Sequence, residues 1–228
     1  MTPGPDRPLS RLRRLAAPRP VPRPAPGERC DLCAAPIPDV HRHLADVHRR
    51  ALACACGACA ILFDGRTAGP ARYRLVPERR RELVGVALDD AAWDALGVPV
   101  ATAFFFHATA ADRVVACYPS PGGAIESLPP GDAWSAVVAA NPVLAAMAPD
   151  VEAFLVHRAR GAREHWIVPI DACYRLVAVV RAHWKGFGGG SAVWAEIARF
   201  FEGLRRGAER TGRDGRAPAA PREDAWQQ

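Results

Sequence analysis

The chain has 228 residues, half of them hydrophobic and 24% charged. That is enough to bury a core, and it excludes a peptide-sized disulfide scaffold and a wholly disordered protein. The formal charge is +6, but residues 1–29 carry seven arginines against two acids and residues 203–228 six against four, so the stretch between is close to neutral.

Residues 1–29 also hold eight of the 22 prolines, as in Pro18-Arg19-Pro20 and Pro22-Arg23-Pro24. Alternating proline sustains neither a helix nor a central strand, and too few apolar residues are present for a core. A disordered, polyproline-leaning arm is expected here. Arg13-Arg14 resembles a twin-arginine export signal, but Pro18, Pro20 and Pro22 replace the apolar segment that such a signal needs. No stretch approaches the ~18 consecutive apolar residues of a membrane helix, so the expected location is the cytoplasm.

Five of the seven cysteines fall within thirty residues: Cys30, Cys33, Cys54, Cys56 and Cys59, in the pattern C-x2-C, twenty residues, C-x-C-x2-C. Two C-x2-C turns at this separation are the arrangement of a four-thiolate structural metal site, because each turn aims both thiolates at one ion. The intervening chain suits a hairpin: a strand at His43–Val47, a turn at His48–Arg50 and a returning strand at Ala51–Cys56. That is the plan of a zinc ribbon, with Cys30, Cys33, Cys56 and Cys59 as ligands and Gly57 easing the second turn.

Cys54 lies two residues before Cys56 and would share its face in a strand. Three roles stay open for it: a ligand in place of Cys56, a spare thiol beside the metal, or an extra ligand for iron or an iron–sulfur cluster. His41 and His43 also share a face and are further candidate ligands. The expected cofactor is zinc, with iron or an Fe–S cluster as the alternative. Cys117 and Cys173 lie in apolar runs and read as small core residues.

From about residue 67 the pattern is α+β. Strands are expected at Ala71–Val76, Val100–His107, Arg113–Tyr118, Val151–His157 and His165–Ile170. Pro119-Ser120-Pro121-Gly122-Gly123 should break the third of these, and it reads as a turn rather than a phosphate cradle. Helices are expected after capping residues Asp89, Asp132, Asp171 and Ser191, with Gly97 stopping the first. In the last, Val193, Trp194, Ile197, Phe200, Phe201 and Leu204 form one apolar stripe. Arg160, Arg163, Glu164 and His165 crowd a turn between strands and are candidates for contacting an anion or a partner. No catalytic motif stands out, and no catalytic residue is assigned.

The expected organisation is therefore a disordered arm (1–29), a zinc-ribbon-like module (30–66), an α+β domain (67–205) and a disordered tail (206–228). The module should pack on or beside a mixed antiparallel sheet with helices.

The run Cys30-x2-Cys33…His41-Arg42-His43-Leu44…Cys54-x-Cys56-x2-Cys59 combines with Tyr73–Pro77, Phe104–His107, Tyr118–Pro121, Arg163–Trp166 and Pro169–Leu176. Together, over about residues 29–205, they resemble an uncharacterised actinobacterial family encoded beside uptake [NiFe]-hydrogenases. The resemblance implies a genomic setting, and with it an accessory part in hydrogenase maturation, assembly or operation through docking of hydrogenase subunits or assembly factors. It carries over no catalytic residue. A non-enzymatic zinc protein is the first expectation, and a rubredoxin-like iron or Fe–S electron carrier the second. A zinc-ribbon nucleic-acid binder using the arginine arm is the third, disfavoured by the neutral body.

Overall fold

The computed structural model describes residues 27–64, 72–186 and 188–217. Most of the expected arm, the start of the strand anticipated at Ala71 and the end of the expected tail lie outside these residues.

The cysteine-rich segment forms a hairpin of β1 (Arg42–Asp46) and β2 (Ala51–Ala55), followed by the short helix α1 (Gly57–Leu62). Arg50, at φ 51°, turns the hairpin. Asp46 holds the turn by accepting from the Arg49 amide at 3.0 Å, and its other oxygen pairs with Arg72 at 2.8 Å. Strand β3 (Tyr73–Leu75) joins the free edge of β1, giving the order β2-β1-β3.

The body is built from β4 (Arg81–Val84), α2 (Asp90–Ala95), β5 (Thr102–Ala108), β6 (Arg113–Ser120), β7 (Gly123–Ser127), α3 (Gly131–Ala140), β8 (Glu152–His157), β9 (Glu164–Pro169), α4 (Ile170–His183), α5 (Gly190–Arg205) and β10 (Glu209–Gly212). Its seven strands run in the order β10-β4-β9-β8-β5-β6-β7. All neighbours are antiparallel except β10 and β4.

Both faces of this sheet are covered, which explains the unbroken apolar run at Phe104–Phe106. Alternate side chains along a strand point to opposite faces. Phe104, Phe106, Leu155, Trp166 and Val168 meet Leu176, Val180, Ile197 and Phe201 of α4 and α5. Phe105, Phe154 and Ile167 meet Trp93, Leu96, Val137 and Leu144 on the other side. Ala45 of β1 and Val76 belong to the first of these cores, so the hairpin is packed onto the body beside α4. Cys117 and Cys173 are buried in the same core, as expected. Burial pushes both thiols up, Cys117 to about 12.

Several local expectations are corrected. The segment at Pro119 does not break β6: the strand runs through Ser120 and folds back through Pro121-Gly122 into the edge strand β7. Pro119 is tolerated because β6 pairs with β5 only as far as Cys117, so no neighbour on that side needs its missing N–H. Of the expected caps, Asp89 accepts from the Ala92 amide at 2.8 Å. Asp132, Asp171 and Ser191 do not cap. Their helices begin earlier, after Pro130, Pro169 and Gly189, and none has a side-chain cap bond. Proline supplies the helical entry by its fixed φ, and Gly189 enters at φ 79°. β10 falls in the stretch 206–228 expected to lack structure, where it lies parallel to β4. Among the described residues, no helix is long and apolar enough to cross a membrane.

Candidate metal centre

The first knuckle is a tight loop closed by its own backbone. The Cys30 amide donates to Ala35 O and the Ala34 amide to Cys30 O, each at 2.8 Å. Ala34 takes the left-handed conformation, φ 59°, that such a loop needs after its second cysteine. The loop is pinned to β2 from both sides: the Asp31 amide donates to Cys54 O at 2.9 Å, and the Cys54 amide to Asp31 Oδ2 at 2.6 Å.

The second knuckle is a helix start. β2 ends at Ala55, and Cys56 leaves the strand to become the N-cap of α1. Its Sγ accepts from the Cys59 amide at 3.4 Å. The C-x2-C spacing is thus an N-cap and its third helical residue, a separation that brings both thiols to one end of the helix.

The two knuckles meet. One ligand atom from each of Cys30, Cys33, Cys56 and Cys59 lies within 4.8 Å of the others, and Cys33 Sγ and Cys56 Sγ are 3.7 Å apart. Four thiolates about 2.3 Å from a tetrahedral ion stand ~3.8 Å from one another, so the set fits a metal ion with little movement. Cys30 and Cys59 are buried, Cys56 is half-buried and Cys33 exposed.

The electrostatics of the four sulfurs are uneven. Burial pushes the Cys30 thiol up, but the backbone amides of Cys56, Leu32 and Cys33 outweigh it and bring it down to about 6. Cys59 is pushed up to about 12, by burial first and then by sharing hydrogen bonds with Cys33, Cys56 and Cys30. Crowded thiols cannot all ionise without a cation among them, and a bound metal removes that conflict.

Cys54 stands apart from this set. It belongs to β2, where it lies across the hairpin from His43, whereas Cys56 follows the strand's last residue, Ala55. His41, His43 and Cys54 form a second cluster, their ligand atoms within 4.8 Å of one another.

Arg160, Arg163, Glu164 and His165 are not brought into one pocket. Arg163 pairs with Asp90 at 3.1 Å, and Arg160 lies over the Trp194 ring at 5.5 Å. Glu164 pairs with Arg205 at 2.7 Å on the α5 face. His165, the next residue along β9, points to the opposite face and stacks on Phe154. Burial, then Arg158 and Arg163, lowers its pKa to about 4. Strand alternation separates residues that look like a cluster in sequence.

Sequence reasoning missed Asp171 as a partner of the cysteine-rich hairpin. Its Oδ2 lies 3.1 Å from His43 Nδ1 across 128 positions of sequence. It also missed the bidentate pair of Arg79 with the fully buried Glu152, at 2.6 and 2.9 Å. Neither pairing has a local signal.

No curated protein and no solved structure matches this chain. A family model does, over residues 29–208, which takes in both knuckles, the second cluster and every strand of the sheet except β10. With that span the chain belongs to the family of unknown function DUF5947.

Proposed function

We propose that this chain is a non-enzymatic zinc-binding accessory protein that works by docking another protein. The observation that carries the reading is the convergence of Cys30, Cys33, Cys56 and Cys59. A set of four thiolates is closed: it leaves no position for substrate, and its role is to hold structure. The hairpin has a small core of its own, Cys30, Ile37, Leu44, Ala55, Cys59 and Ala60, two of which are the proposed ligands. A metal supplies the stability that so small a core lacks.

Docking is supported by consecutive apolar residues just after Cys59. Ile61 is 79% and Leu62 77% exposed, with Phe63 also exposed. A run of this kind on a rigid metal-braced helix is a surface for a protein partner. The resemblance noted in the sequence points to a [NiFe]-hydrogenase subunit or assembly factor as that partner, in the cytoplasm, where thiols stay reduced.

Metal analysis of the full chain, purified under reducing conditions, is the test. The expected protein is colourless and contains zinc, one equivalent of which is lost in Cys33→Ser. Iron in the same four thiolates is the second reading, favoured by the exposed sulfur of Cys33, which offers a route for an electron. It requires a red or brown protein that bleaches on reduction, and that result would overturn the zinc assignment. Co-purification with hydrogenase subunits that is lost in an Ile61→Asp/Leu62→Asp variant checks the docking half.

A further inference from the structure

The second cluster is better built than its residues suggest in sequence. His41 precedes β1, His43 lies within it, and Cys54 is directly opposite His43 in the hairpin register. The two imidazoles meet edge to face, with centroids 4.8 Å apart.

Their partners fix the tautomers. His43 Nδ1 lies 3.1 Å from Asp171 Oδ2. His41 Nδ1 lies 2.9 Å from Pro38 O and 3.4 Å from Glu28 Oε2. A carbonyl and two carboxylates only accept, so Nδ1 is the donor in both rings, and in the neutral imidazole Nε2 carries the lone pair. The His41 side chain is 7% exposed, and its Nε2 is buried without a hydrogen-bond partner. A buried, unpartnered nitrogen lone pair beside a second imidazole and a thiol is the donor set of a metal ion.

We propose that His41, His43 and Cys54 form a second metal site, distinct from the four-cysteine centre, for a late first-row transition-metal cation such as Zn2+. The ligands are His41 Nε2, His43 Nε2 and the Cys54 thiolate. Three protein ligands leave the fourth position to water or to a ligand from outside, so this site is open where the other is closed. The side chains of His43 and Asp171 are each 26% exposed, which gives an ion access. Asp171 orients His43 in the carboxylate–histidine–metal manner and is a positioning residue. It belongs to the first turn of α4, so an ion in this site links the hairpin to the body.

Titration of the full chain with Co2+ under anaerobic reducing conditions, read by visible absorption, tests this. Cobalt on four thiolates and cobalt on two imidazoles and one thiolate differ in band energy and in charge-transfer intensity. Two equivalents should bind. Cys54→Ser and His41→Gln should each lose one equivalent and its bands while the four-thiolate spectrum stays. Asp171→Asn should keep both spectra and weaken the second binding event by about tenfold or more. A single equivalent in the unaltered chain, with uptake unchanged in Cys54→Ser and His41→Gln, overturns the second site. A chain showing only the imidazole–thiolate spectrum overturns the four-cysteine centre and leaves this site standing, so the two assignments fail separately.

Discussion

Asn141 shows how one residue holds distant segments together. It is fully buried between α3 and the turn that follows. Its Oδ1 accepts from the Ala87 amide at 2.8 Å, and its Nδ2 donates to Ala87 O at 3.0 Å and Val137 O at 2.9 Å. Asn141→Leu removes all three bonds and leaves the half-buried amide and carbonyl of Ala87 and the buried carbonyl of Val137 without this partner. The expected loss is about 2–4 kcal/mol, since each orphaned group costs roughly 1–3 kcal/mol. Urea unfolding at pH 7 checks it, and an unchanged midpoint would show that the backbone finds other partners. The pairing of Asn141 with Ala87, 54 positions away, has no local signal in the sequence. The grouping of Cys30, Cys33, Cys56 and Cys59 was more legible, because knuckle spacing is a local property. The grouping of Cys54 with His41 and His43 was not, because it depends on the hairpin register.

At the scale of elements, the hairpin and its two knuckles carry the candidate metal centre. β1 is anchored on the body through Ala45, whereas the knuckles rest on the small core around Leu44. Chelation at neutral pH should therefore loosen residues 28–37 and 54–63 while β5, β8 and β9 keep their protection. Hydrogen exchange with and without chelator measures this. Equal protection of the knuckles in both conditions would mean that they hold without a metal. The strands most legible in sequence were the central ones, β5 and β8, whose apolar runs are buried on both faces. β4 and β10 escaped notice because Arg81–Val84 and Glu209–Gly212 are short and charged. They are strands because a neighbour offers an edge to pair with, not because their residues prefer it.

The whole molecule is expected to be acid-sensitive, since several groups act in one direction. Burial, then Arg205, lowers the pKa of His157 from 6.5 to about 4, and His165 is lowered to about 4 as well. Both bind a proton more weakly folded than unfolded, so their contribution to stability is full above about pH 6.5 and lost as pH falls toward 4. By pH 5 the loss is on the order of 2 kcal/mol for each. Burial pushes the carboxyls of Asp46 and Glu152 up, but the Arg49 amide and Arg72 for the first, and Arg79 for the second, outweigh it and hold both below their ordinary values. Their stabilisation disappears at still lower pH. A His157→Gln/His165→Asn variant should lose much less stability than the unaltered chain between pH 7 and pH 5. Parallel pH profiles of the urea midpoint would show that burial does not keep these histidines neutral.

By itself, the sequence determined the composition class, the α+β alternation, the hairpin and the four cysteines of the candidate centre. All of these are carried by spacing and periodicity over a few residues. Only the tertiary structure decided that His41, His43 and Cys54 form a cluster of their own, that Asp171 reaches His43, and that the cluster at Arg160–His165 is split between two faces. These outcomes depend on where strands end and which elements pack together. Such facts are set by burial across the whole chain, and no local run of residues encodes them.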